Sequence, residues 1–354
     1  MNKVKKLFKS SVRVIKDCCL ENGAIVAANP TKSYYPSRAK HYFYVWPRDA
    51  SYVCISADLI GIKGIQEKFF EWCLKRAEGF TDEGLFFEKY YVNGLKALFR
   101  FQPDQTGTVL FAVWHHYRKN LRKAMKFEEL IVRAANGLCN KWDKDHFTIV
   151  TNDVWEERLA FPDLKENFTY SLAACIRGLE SANQIIHEQR WLEVANQMRK
   201  VLRKHFIGGF FVRSHGLLTD KRIDSSVLGL VYPFEILKAD DSRMLLTVKK
   251  IEETLLVNGG LHRYEHDDYD GWMYEGFHRR KGSGAWPILN FWLSIYYSIL
   301  GNEEKARKYF YWVLDRVEEY IPEQIFENEI QVSVSPLAWS HAMFLVAAKF
   351  LKLV

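Results

Sequence analysis

The rhythm of breaks between amphipathic stretches constrains this 354-residue chain more than any other feature. Apolar residues recur with a 3.6-residue period in about twelve segments, near residues 2–20, 48–60, 64–78, 104–119, 123–142, 168–186, 188–206, 224–237, 241–256, 285–300, 302–319 and 335–352. Strand signals between them are scarce. The links alternate in length. Gly61-Ile62-Lys63-Gly64, Arg118 to Arg122, His187, Ala239-Asp240 and Gly301-Asn302 are tight, whereas longer polar segments begin near residues 21, 79, 143, 207, 257 and 320. Helical hairpins closed by tight turns at one end leave every long loop at the other. Six such hairpins predict an all-α fold, an (α/α)6 toroid whose long loops line a common cleft. A superhelical solenoid has the same period but spreads its loops along a ridge, and contact between the first and last helices separates the two.

The hydrophobic share of 48% supplies ample core, and no Gly/Ser linker, proline-rich spacer or composition break divides residues 1–354, so a single domain is expected. The net charge is +7, but the basic residues are dispersed among 43 acidic ones and form no long run after residue 16, which argues against nucleic acid as a partner. In Met1 to Lys16 the basic residues are interleaved with apolar ones. Val4, Leu7, Val12, Ile15 and Cys19 fall roughly along one face, which reads as the first helix of the fold before a membrane anchor or targeting peptide. No apolar stretch is long enough to span a bilayer and no secretory h-region is recognisable, so a cytoplasmic protein without a membrane partner is expected. Cys18, Cys19, Cys54, Cys73, Cys139 and Cys175 form no Cys-x-x-Cys pair and read as reduced, buried small hydrophobes. The 11 histidines form no His-Glu-x-x-His pattern, so neither metal nor cofactor is expected.

Aromatic residues make up 15% of the chain, and part of them cluster in polar loops where core packing has no need of them. Four loop clusters mix rings with carboxylate, guanidinium or amide groups: Tyr42 to Asp49, Asp153 to Arg158, Arg263 to Tyr269, and Pro322-Glu323-Gln324. Sugars call for this mixture, because charged groups grip paired hydroxyls while the apolar ring face lies on an aromatic ring. Cleavage of a glycosidic bond needs two facing carboxyl groups, and Glu156 and Glu323 are the candidate pair. Simpler readings compete at single positions. Arg48-Asp49 also suits a helix N-terminus, Asp224-Ser225-Ser226 a helix cap, and Glu327 and Glu329 solvated loop charges.

Taken in order, the segments Tyr42-Phe43-Tyr44-x-Trp46-x-Arg48-Asp49, Gln102-Pro103-Asp104, Val154-Trp155-Glu156-Glu157, Arg263-Tyr264-x-x-Asp267-x-Tyr269, Gly284-x-Trp286-Pro287, Pro322-Glu323-Gln324 and Pro336 to Ala342 resemble glycoside hydrolase family 15, the glucoamylases and related inverting α-glucosidases, over residues 10 to 350 or so. The resemblance implies Glu156 as general acid and Glu323 as general base. It also implies substrate contacts from Tyr42, Trp46, Arg48, Asp49, Trp155, Glu157, Arg263, Asp267, Tyr269 and Trp286, an α-linked gluco-oligosaccharide as substrate, and no cofactor. The adjacent charge of Glu157, with partial desolvation, is expected to raise the pKa of Glu156. Leu98 departs from the family, standing where its fungal glucoamylases carry a tryptophan. The β-sandwich domain that many prokaryotic members place before the helical one is not recognisable, so small soluble oligosaccharides are expected over raw starch. Rival readings are a trehalase of the same family and a non-catalytic toroid that binds glycan or protein.

Overall fold

Pro47, Pro103 and Pro287 each open a helix, where the missing amide proton costs nothing and the fixed φ favours the first turn. The computed structural model describes residues 3–35, 42–271, 282–328 and 331–354. Its α-helices are α1 (Lys3–Cys18), α2 (Pro47–Ile60), α3 (Gln66–Lys75), the one-turn α4 (Phe80–Glu83), α5 (Pro103–Tyr117), α6 (Glu128–Asn140), α7 (Thr169–Ile185), α8 (Gln189–Arg203), α9 (Ser242–Leu255), α10 (Pro287–Leu300), α11 (Glu303–Leu314) and α12 (Ala338–Phe350). Glu329 lies outside the described residues.

The helices form two concentric layers. The inner ring consists of α2, α5, α7, the 3-10 helix Ser225–Leu230, α10 and α12, each touching the next, and it closes where α12 meets α2. Inner helices are buried almost all round, as along Pro287 to Tyr297 of α10. Outer helices bury a single stripe, such as Trp191, Val194, Ala195, Met198, Val201 and Leu202 of α8. Helix α1 lies against α12, so the first helix is the outer partner of the last. That contact makes the fold the expected (α/α)6 toroid. At the centre, Trp292 of α10 stands 5.8 Å from Tyr52, 6.0 Å from Tyr170 and 5.9 Å from Trp339, so rings from four inner helices share one plug. Two-residue hairpins follow three outer helices at equivalent places, pairing Trp142–Asp143 with His146–Phe147, Phe206–Ile207 with Phe210–Phe211, and Leu256–Val257 with Gly260–Leu261. Among the described residues no helix is long and apolar enough to cross a membrane.

One expected helix is absent. Residues 224–237 form only the 3-10 helix Ser225–Leu230 and then turns, because Pro233 has no amide proton to continue a helix and disfavours helical backbone at the residue before it. Gly229 lets this segment approach α7, since a Cβ there would stand 2.9 Å from the Tyr170 ring. Asp224 caps the segment as expected, accepting from the Ser226 amide at 2.8 Å.

The tightest contact in the ring joins α5 and α7 through glycine. A Cβ on Gly107 would lie 2.5 Å from the Ala174 carbonyl carbon, and one on Gly178 would lie 2.5 Å from the Gly107 carbonyl oxygen. Backbone cannot yield as a side chain can. Gly107→Ala is therefore expected to destabilise the fold by about 1–3 kcal/mol, read as a lower midpoint in chemical denaturation.

Candidate active site

Asp153 is the pivot of its loop. Its carboxylate accepts the amides of Glu157 and Arg158 at 2.8 and 3.1 Å, and its buried charge is matched by the Arg213 guanidinium. The chain turns so sharply there that Glu156 adopts a left-handed φ of 66°, at a cost of about 1 kcal/mol for a residue with a Cβ. Trp155 is fixed by donating its ring N–H to Asp224, 2.9 Å from Oδ2. Gln102 ties the loop to the next inner helix, donating to the Asp153 carbonyl at 2.6 Å.

Arg48 and Asp49 from the first turn of α2, Trp339 from that of α12, and Trp286 and Leu337 just before α10 and α12 line one cavity of about 390 Å3 together with this loop. Tyr42, Trp46, Arg48, Asp49, Trp155, Glu156, Glu157, Arg263, Tyr269, Trp286 and Glu323 all line it, so residues separated by most of the chain meet there. Arg48 is 3% exposed, paired with Asp104 at 3.0 Å and Asp49 at 3.2 Å, and it lies 5.2 Å from the Trp339 ring. At the mouth the wall becomes wetter, with the Lys89 and Arg100 side chains 22% and 51% exposed. Arg263 is surrounded by the rings of Trp155, Tyr264, Tyr269 and Trp286, all within about 5.5 Å of its guanidinium. It bonds Glu157 at 2.5 Å and holds Asp267 with two bonds of 2.7 and 2.8 Å. Asp267 does not line the cavity; it stands behind Arg263 and fixes it. Tyr42 and Tyr269 join hydroxyls at 2.9 Å. Among the described residues, Glu323 Oε2, Trp286 Nε1 and Trp339 Nε1 are buried polar atoms without a protein partner, and all three belong to side chains of the cavity wall. A ligand rich in hydroxyl groups satisfies such atoms.

The two candidate carboxyls are dressed differently. Glu156 is pushed up to about 8, first by burial and then by the Glu88 carboxylate, while Lys89 and Arg48 pull the other way. The Glu156 carboxylate takes a short bond from the Trp46 ring N–H, and Lys89 Nζ stands 3.8 Å from it. Glu323 is also raised by burial to about 8, but the Arg263 charge and the Tyr42 hydroxyl act to lower it. Burial raises Glu156 as expected, but the charge that raises it most is that of Glu88, where the sequence pointed to the neighbouring Glu157. Glu157 is turned onto Arg263 and the Tyr264 hydroxyl by the Asp153 turn. Burial lifts Asp49 to about 7 despite its Arg48 partner.

Glu88, Lys89 and Trp339 are wall residues that sequence reasoning did not select. Glu88 gave little signal, since its carboxylate is defined by Asn152, which donates to it at 2.8 Å from 64 positions away. Trp339 sat inside a quoted motif and was open to selection as a ring beside Arg48.

Comparison with known proteins adds an independent line. Residues 59–349 match the family described as Glycosyl hydrolases family 15. An uncharacterised glycosyl hydrolase of Methanocaldococcus jannaschii is 33% identical over 375 residues, covering 98% of this chain; the chain spans 56% of that relative's length. An isomaltose glucohydrolase of Kribbella flavida is 23% identical over 92% of this chain and 88% of its own, and a trehalase of Sulfolobus acidocaldarius is 23% identical over 87% of this chain and 56% of its own. A glycosidase variant solved in complex with glucose superposes with a TM-score of 0.81 at 22% identity, over 99% of this chain and 98% of its own.

Removing the pivot tests the architecture of the site. Asp153→Ala strips two amides of their acceptor and deprives buried Arg213 of its closest anion, so a loss of about 3 kcal/mol is expected in denaturant unfolding. Asp153→Asn keeps an acceptor for the amides and is expected to lose less.

Proposed function

This chain belongs to glycosyl hydrolases family 15, and from that membership we propose that it is an exo-acting α-glucosidase, glucoamylase-like, that releases glucose from the non-reducing ends of α-linked gluco-oligosaccharides with inversion. Residues 1–354 act as one catalytic domain in this reading, and six free cysteines suit a cytoplasmic setting. The terminal glucose enters the closed end, where Arg48 and Asp49 take its hydroxyls and Trp46, Trp155, Trp286 and Trp339 wall it in. Glu157 and Arg263 complete the polar contacts, and Asp267 holds Arg263 in place.

The observation that carries this reading is the unequal surroundings of Glu156 and Glu323. Glu156 adds to the upward push on Glu323, so the two carboxyls resist ionising together. Glu323, whose charged form is favoured by Arg263 and the Tyr42 hydroxyl, serves as the base and takes a proton from water. Glu156, beside Glu88, keeps its proton and gives it to the departing oxygen. Water adds as the glycosidic bond breaks, so the glucose leaves with inverted anomeric configuration. Tyr42 and Tyr269 lie where positive charge develops on the sugar ring.

Proton NMR of the first product tests the reading on maltose, maltotriose, isomaltose and trehalose. β-Glucose is expected first from an α-glucan oligosaccharide, while α-glucose first would exclude inversion and turnover of trehalose alone would favour the trehalase reading. Glu156→Gln and Glu323→Gln are each expected to lower kcat by roughly 10² to 10⁴; full activity in both would remove these carboxyls from the reaction, and a wild type that turns over no α-glucoside would leave a binding toroid as the better account. The pH profile carries a further prediction. The acid works only while protonated, so activity is expected to fall as pH rises through about 8. Glu88→Gln removes a negative neighbour, so the Glu156 proton leaves more readily and the basic limb is expected to move to lower pH.

A further inference from the structure

Arg199 and Arg203 stand four positions apart on α8, so their side chains leave the same face of the helix near its C-terminus. Together with Arg243, from the first turn of α9, they line a hollow of about 110 Å3 floored by Leu202, Phe211 and Ile236. No carboxylate lines it, and it shares no residue with the cavity that holds Glu156 and Glu323.

Two of the three guanidiniums are fixed from outside the hollow. Arg199 donates to the Glu180 carboxylate of α7 and, at 3.4 Å, to the Ile236 carbonyl. Asp241 accepts from Arg243 Nε at 3.0 Å and Nη2 at 2.7 Å, and the Arg243 guanidinium lies 6.0 Å from the Phe211 ring. A guanidinium has five N–H donors, so both keep donors to spare. Arg203 has no hydrogen bond or ion pair among the described residues. Simpler roles cover only parts of this arrangement. A cation in the last turn of α8 offsets the negative end of that helix, which accounts for Arg203 alone. Arg243 stands at the opposite, positive end of its own helix, where a cation is disfavoured, and three like charges around one small hollow repel each other. Asp241 already accepts the Arg243 amide at 2.9 Å, so guanidiniums rather than the helix terminus face an incoming ligand.

We propose that this hollow binds the phosphoryl group of a phosphomonoester. Planar guanidiniums pair with phosphate oxygens two bonds at a time, and an anion relieves the repulsion among the three charges. The two carboxylate-held arginines are set in advance, so little freedom is lost when the ligand arrives. A volume of about 110 Å3 suits the phosphoryl group, and the esterified part lies outside it. Ile236 and Leu237 also line a larger hollow of about 610 Å3, where Tyr232, Lys238 and Asp240 offer that part polar partners beside apolar walls. The inference is independent of the sugar chemistry assigned to the catalytic cavity.

Isothermal titration calorimetry of the full chain at about pH 8 and low salt tests this with inorganic phosphate, glucose 6-phosphate and adenosine monophosphate. The wild type is expected to bind at least one of the two esters more tightly than inorganic phosphate. Arg203→Ala is expected to weaken ester binding roughly tenfold or more, as befits a lost bond between charged groups, with the thermal midpoint and the turnover of α-glucosides unchanged. Arg203→Lys keeps the charge without the fork and is expected to fall between the two. Lys249→Ala removes a 71% exposed cation of α9 outside the hollow, and is expected to stay within about twofold of the wild type. A wild type that binds none of the three anions would overturn the proposal, as would undiminished binding in Arg203→Ala or an equal loss in Lys249→Ala. Inorganic phosphate bound as tightly as both esters would overturn the ester and leave the free anion as the ligand.

Discussion

A guanidinium buried at the convergence of helix N-termini organises this molecule. Arg48 sits in the first turn of α2, 3% exposed, in a region where inner helices point their positive ends at one another. A cation there survives only with close anions, and Asp49 and Asp104 provide them from α2 and α5. Gln102 and Gln105 extend the link. Gln105 accepts from the Arg48 amide and donates to the Glu88 carbonyl, while Gln102 donates to the Asp153 carbonyl. One polar network thus joins the cavity floor, the loop that carries Glu156 and the backbone at Glu88. The aromatic plug of Tyr52, Tyr170, Trp292 and Trp339 closes the ring beneath it.

From that floor upward, geometry assigns different environments to similar groups. Glu156 and Glu157 are neighbours in sequence with the same side chain. The Asp153 turn and the left-handed backbone at Glu156 send one carboxylate to Trp46 and Lys89 and the other to Arg263 and Tyr264. The first has the buried Glu88 carboxylate as its strongest charged neighbour. Chemistry that separates an acid from a base depends on such differences in surroundings more than on residue type.

The parts of the fold that were legible share a local cause. A 3.6-residue period marks each helix regardless of what it packs against, and the proline at the start of α2, α5 and α10 marks a first turn. The segment 224–237 shows where that logic fails: its apolar spacing is helical, yet Pro233 and the close approach of Gly229 to Tyr170 leave one short 3-10 helix. Asp267 shows the same limit at the site. Its position in a motif marked it for the cavity, but its carboxylate lies behind Arg263, a distinction set by side-chain direction.

By itself the sequence determined the helical periods, the alternation of short and long links, and the set of carboxylate and aromatic loops, because each is written in residues close together along the chain. Tertiary structure alone decided which charges meet. Glu88 stands by Glu156 across 68 positions, and Arg263 with Tyr42 stands by Glu323, through the closure of the ring. Coulomb interaction and desolvation depend on distance in space and on burial, and neither can be counted along a chain.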